Sequence, residues 1–138
     1  MKKVYFTLAL ALGLCFASFA QKNVAKSIQT GKWFVKGAIN GNAITLSSNA
    51  TADNSDWEAK FSSTGSMHHC LTTKTSVIDP SGIEIKPNTY YCDSLYTYKI
   101  KNDVININYP PASYYYKMKA LPNNAGYELT PTTFADFK

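Results

Sequence analysis

Arginine is missing from this 138-residue chain, and all 14 of its basic residues are Lys. Without guanidinium forks it lacks the groups that most often read guanine edges and grip phosphates in two-point fashion, which argues against nucleic acid as a partner. Glycine (7) and proline (6) are too scarce for collagen-like or low-complexity organisation. Histidine occurs only twice, and neither Gly-x-Ser-x-Gly nor Ser-x-x-Lys occurs. Charge is thin as well, at 17% of residues. The chain is rich in apolar side chains, at 45%, and in aromatics, at 14%, with ten Tyr. That balance builds one compact domain and excludes a disordered chain.

Residues 1–20 read as a cleaved secretory signal peptide. Lys2 and Lys3 form a charged start, Phe6 to Phe19 carry no charge, and Ser18-Phe19-Ala20 sets small residues at −3 and −1 of a cut before Gln21. The apolar run is shorter than the roughly 20 residues a membrane span needs, so the mature chain is expected to hold no transmembrane segment. Cys15 follows Leu14 rather than the small residue that a lipidation site requires. An exported mature protein, periplasmic or secreted, is therefore expected over residues 21–138. Loss of Lys2 and Lys3 takes the formal charge from +5 to about +3, enough for solubility but not enough to identify a partner. Cleavage leaves Cys70 and Cys92 in an oxidising space, where an even count reads as one disulfide. The alternative is two unpaired buried thiols.

The mature chain contains no linker, repeat or charge block, so one domain is expected. Only Asn23 to Gln29 suggests a helical turn or two, with Val24, Ala25 and Ile28 on one side. Strand signals dominate. Trp33 and Val35 share a face of Lys32–Lys36, and Trp57, Ala59 and Phe61 alternate with Glu58 and Lys60. A Gly65 turn separates Phe61 from Met67–Leu71, and Asp79-Pro80-Ser81-Gly82 has the composition of a type I turn. Tyr96, Tyr98 and Ile100 share a face, Lys101-Asn102-Asp103 turns, and Ile105, Ile107 and Tyr109 resume the pattern. Pro110-Pro111 interrupts the ladder, Tyr114, Tyr116 and Met118 form another alternating set, and a last strand is expected over 126–130. The polar run from Ser47 to Asp56 reads as a long connection. The fold class is all-β, an antiparallel meander of about eight strands. An open sandwich satisfies the same alternation, but closure into a barrel removes exposed edges. Trp33, Val35, Phe61, Tyr96, Tyr98, Ile100, Ile105 and Ile107 are expected to face inward.

Gly31-Lys32-Trp33 opens the first strand just after the leader and the short helix. With Tyr98-x-Ile100, the Asn-Asp turn, Ile105-x-Ile107 and a final Tyr127-Glu128-Leu129, it resembles the compact bacterial lipocalin-like barrels of the calycin group. The resemblance implies an up-and-down barrel in which Gly31 lets the chain turn under the barrel and Trp33 plugs its closed end. It also implies a small apolar ligand in the interior, while the absence of Arg departs from members that lay an Arg over this Trp. The same Gly-x-Trp start is found in small periplasmic barrels that inhibit metalloproteases, and their likeness would make Gln21–Thr30 an inserting strand.

His68-His69-Cys70 is the first candidate for chemistry. Successive strand residues point to opposite faces, so His69 cannot converge with His68 and Cys70, and no metal site, cofactor or catalytic residue is expected. The tyrosines remain. As ligand-binding residues, Tyr96, Tyr98, Tyr109 and Tyr116 would line a cavity floored by Trp33, with hydroxyls to orient a small hydrophobic molecule. As packing residues they would fill a small barrel. The expected function is a non-enzymatic binding barrel. The alternatives are a protein-interaction module, such as a protease inhibitor, or a structural envelope barrel with no ligand.

Overall fold

The computed structural model describes residues 24–49 and 55–138. The expected leader and cleavage point, and residues 50–54 of the polar connection, lie outside these. Residues 24–30 form a helix, α1. The strands are β1 (Lys32–Lys36), β2 (Ile44–Ser47), β3 (Trp57–Phe61), β4 (Ser66–Thr72), β5 (Val77–Ile78), β6 (Glu84–Ile85), β7 (Tyr90–Lys101), β8 (Val104–Tyr109), β9 (Ala112–Ala120) and β10 (Gly126–Thr132). A last helical turn, α2 (Phe134–Phe137), starts in a capping box between Thr133 and Asp136.

Eight strands close into an antiparallel barrel in the order β1-β2-β10-β9-β8-β7-β4-β3, with β3 returning to β1. The barrel rather than the open sandwich is the outcome, and no strand of it has a free edge. At one point the order departs from a pure up-and-down sequence. β1 lies between β2 and β3, so β2 pairs with β10. Because β2 and β3 both run antiparallel to β1, they run parallel to each other, and no tight turn can join them. The long polar stretch from Ser47 to Asp56 meets that need.

Alternation builds the core. Trp33, Val35, Ile44, Leu46, Ala59, Phe61, Met67, Tyr98, Ile105, Ile107, Tyr116 and Leu129 belong to one buried cluster. Of the eight residues expected inward, Tyr96 and Ile100 are partly buried against that cluster and the other six lie within it. Every strand lysine of the barrel falls at an outward position: Lys32, Lys36, Lys60, Lys99, Lys101, Lys117 and Lys119 are exposed.

Two glycines are required by close approach. A Cβ on Gly31 would stand 2.7 Å from the Trp33 ring, so only Gly lets that ring fold back across the start of β1. At Gly126, φ is +139° and a Cβ would meet the Leu46 carbonyl oxygen at 1.9 Å, so β10 can join β2 there only without a side chain.

β5 and β6 form a separate two-stranded arm between β4 and β7. The Asp79 turn is its tip, where the Gly82 N–H donates to the Asp79 carbonyl at 2.9 Å. Cys70 and Cys92 are directly opposed on β4 and β7 and form the disulfide at its base, closing a separation of 22 residues. Thr73 is buried beside it and donates to the Lys86 carbonyl at 2.7 Å.

The inserting-strand expectation for residues 21–30 is corrected for its described part. Residues 24–30 are helical, with Ile28 fully buried in the barrel core. Among the described residues no helix is long and apolar enough to cross a membrane.

Candidate functional site

The barrel has two unlike ends. At the end where β1 begins, α1 covers the opening. The Trp33 indole N–H donates to the Ile28 carbonyl at 2.7 Å, and its ring meets Tyr127 edge-on at 5.7 Å. Tyr98 donates its hydroxyl proton to the Ser62 carbonyl at 2.6 Å and accepts from the Gln29 amide at 3.0 Å. Its ring stands edge-on to Phe61 at 5.0 Å. Burial pushes the Tyr98 phenol above its ordinary range, against a smaller opposing effect from Gln29. A space of about 30 Å³ beside Trp33, Tyr127 and Ser27, room for about one water, lies at this floor.

At the other end, inward-facing side chains keep part of their surface exposed. A bulge causes this concentration: two steps along β4, from Met67 to His69, match three along β7, from Tyr96 back to Asp93. His69 also faces Ala59, which is fully buried, so His69, Asp93 and Tyr96 all turn toward the barrel axis. Trp57 stacks at a tilt on His69 with centroids 4.6 Å apart, His69 lies 6.2 Å from Tyr96, and Tyr96 stacks on Tyr109 at 4.9 Å. A row of four rings thus crosses β3, β4, β7 and β8, from buried Trp57 to Tyr109 at 40% exposure. Tyr114, one strand further on, is partly buried against the core.

The rim is tied down from above. The Trp57 indole N–H donates to the Gly37 carbonyl at 2.8 Å, and the Gly41 N–H donates to the Tyr116 hydroxyl at 3.3 Å, so both rings hold the β1–β2 loop. An open cleft of about 800 Å³ lies on the outer wall beside the β5–β6 arm, lined by Trp57, Glu58, Leu71, Val77 and Tyr90 among others.

His69 Nδ1 and Asp93 Oδ2 lie 3.4 Å apart, with side-chain exposures of 23% and 19%. The other oxygen, Asp93 Oδ1, is buried with no hydrogen-bond partner among the described residues. The Tyr96 phenol is pushed up mainly by burial, then by the Asp93 charge and by Tyr109 and Tyr114. On the outer wall, burial raises Glu58, but the Tyr90 hydroxyl at 2.6 Å and Lys32 at 2.9 Å outweigh it, with Lys60 adding to them. The net result holds Glu58 below the usual carboxylate range.

The five residues singled out in the sequence are therefore divided. Tyr96 and Tyr109 stand at the open mouth, Tyr116 lies fully buried beneath it, and Trp33 and Tyr98 belong to the floor. The structure adds Trp57, His69, Asp93 and Tyr114 to the mouth. Two of these were accessible through the cysteines: if Cys70 faces Cys92 across antiparallel strands, His69 must face Asp93. Both described cysteines are consumed in the disulfide, and no cluster of three or more metal-ligating side chains occurs among the described residues. The mouth presents aromatic faces, phenol hydroxyls and one acid, which is the chemistry of a binding surface. Comparison of the chain with protein-family models, with curated proteins and with solved structures finds no match.

Proposed function

We propose that the chain is an exported, non-enzymatic binding barrel of lipocalin-like type that takes a small, largely apolar molecule at its open mouth. One observation carries this reading. Aromatic side chains that face the barrel axis are packed away at the floor and left partly exposed at the mouth. Exposed aromatic surface at the rim gives apolar burial, worth about 25 cal/mol per Å², and the Tyr96, Tyr109 and Tyr114 hydroxyls give orientation. The ligand sits higher in the barrel than Trp33, because Trp33, Phe61, Tyr98 and Ile105 already fill the floor half.

Export rests on the leader pattern of residues 1–20, and a disulfide suits an oxidising compartment. That filled floor half also favours a second reading, an envelope barrel without ligand. Native mass spectrometry of the exported protein, followed by organic extraction, separates the two. A co-purifying small apolar mass whose removal changes Trp fluorescence is the expected result. An empty extract, with neutral aromatic probes failing to bind, would overturn the binding reading.

A further inference from the structure

Among the described residues, the inward surface of the barrel holds a single acidic side chain and no lysine. Every strand lysine faces out, and Glu58 and Glu128 alternate outward with them, leaving Asp93 as the inward acid and His69 as its neighbour. Among the described residues there are four ion pairs, and Asp93 enters only the one with His69. That contact spans 3.4 Å, longer than the 2.7–2.9 Å of a strong charge-assisted bond. The second carboxylate oxygen has no donor among the described residues, and an unsatisfied buried oxygen of this kind is costly enough to need an explanation. Beside it runs the row of rings from Trp57 to Tyr109, whose faces attract a cation brought within about 6 Å.

We infer that the molecule taken at the mouth carries a protonated amine, held by the Asp93 carboxylate and flanked by the faces of Tyr96, Tyr109 and Trp57. This inference rests on the binding reading above and adds a charge to its ligand. The carboxylate supplies the acceptor that an ammonium needs once it leaves water. The aromatic rings take the apolar body of the ligand and shield the pair from solvent. A carboxylate ligand is disfavoured at the same position, because it would meet Asp93 with like charge and no lysine is at hand.

The test uses the exported chain with two probes of nearly equal shape, 2-phenylethylamine and 2-phenylethanol, titrated by calorimetry near pH 7. The amine is expected to bind about tenfold or more tightly than the alcohol, as a charged hydrogen bond implies. In Asp93→Asn that advantage should vanish while binding of the alcohol persists, with the near-UV circular dichroism unchanged. If Asp93→Asn does not fold, phenylacetate is titrated into the wild type, where its like charge should make it bind more weakly than the alcohol, and binding as tight as the amine's overturns the charge inference. Equal binding of the two probes overturns the charge inference and leaves the binding reading standing. Failure of both probes overturns the two together.

Discussion

The floor and the mouth are built from the same residue types and end in opposite states. At the floor, Trp33 and Tyr98 find partners from α1 and the β3–β4 turn: Trp33 reaches Ile28, and Tyr98 reaches Ser62 and Gln29. At the mouth, Tyr96 and Tyr109 stack on each other with part of their surface exposed, and Asp93 keeps one oxygen without a donor. The lid, not the rings, makes the difference. A tyrosine facing the axis becomes core where an element closes over it and keeps part of its surface exposed where none does.

Mutations at the two ends should separate stability from binding. The largest stability effect belongs to the floor. Trp33→Ala removes a buried indole and its bond to α1, and should cost about 3–5 kcal/mol in denaturant unfolding. A loss under about 1 kcal/mol would break the comparison, because Trp33 would then not be the plug. Next is the clamp at the base of the arm. Replacing Cys70 and Cys92 together by Ala opens the covalent loop of the β5–β6 arm and should cost about 3 kcal/mol, read from urea melts of the oxidised wild type and the variant.

The mouth should answer in the opposite sense. Tyr109→Ala trims a ring that is 40% exposed, so its cost in stability should stay near or below about 1 kcal/mol. Calorimetry with 2-phenylethanol should nevertheless show several-fold weaker binding. A large loss of stability with unchanged affinity would reverse the assignment of the two ends.

The smallest effect concerns the outer wall, where Glu58 is held below its ordinary value of 4.5. A depressed carboxylate contributes stability that is present above the unfolded pKa and is lost as pH falls through the folded one. Acid unfolding should therefore draw on Glu58 below pH 4.5. Tyr90→Phe removes one of the bonds that depress it, and should move the acid midpoint upward by about a few tenths of a pH unit. A downward move would show that the Tyr90 hydroxyl does not favour the ionised form.

Much of the floor was legible in the chain itself. The resemblance carried by Gly31-Lys32-Trp33 implies Trp33 as the plug, though the ring folded back against Gly31 is seen only in the structure, and the alternation around Phe61, Tyr98 and Ile107 places those residues inward without any tertiary information. The disulfide follows from counting cysteines after the leader. The mouth was harder to see, because its composition depends on register. His69 and Asp93 follow from the Cys70–Cys92 pairing, but Tyr96 joins their face only because a bulge shifts β7 against β4 between them, and nothing in the local pattern of Asp93-Ser94-Leu95 marks an extra residue. Alternation also says which tyrosines face inward but not at what height. Tyr98 and Tyr96 therefore look equivalent until α1 is seen to cover one of them. The place of β1 between β2 and β3 was hidden for a related reason: a polar stretch announces a connection without saying which neighbour it reaches.

The chain holds two tryptophans, Trp33 at the floor and Trp57 at the mouth, so their indole N–H signals report on the two ends separately. Titrating 2-phenylethylamine into nitrogen-15-labelled exported protein tests directly where a ligand sits. The Trp57 indole signal, with the His69 and Asp93 amides, should shift progressively while the Trp33 indole stays in place. Movement of Trp33 with Trp57 unmoved would contradict an open mouth over a closed floor.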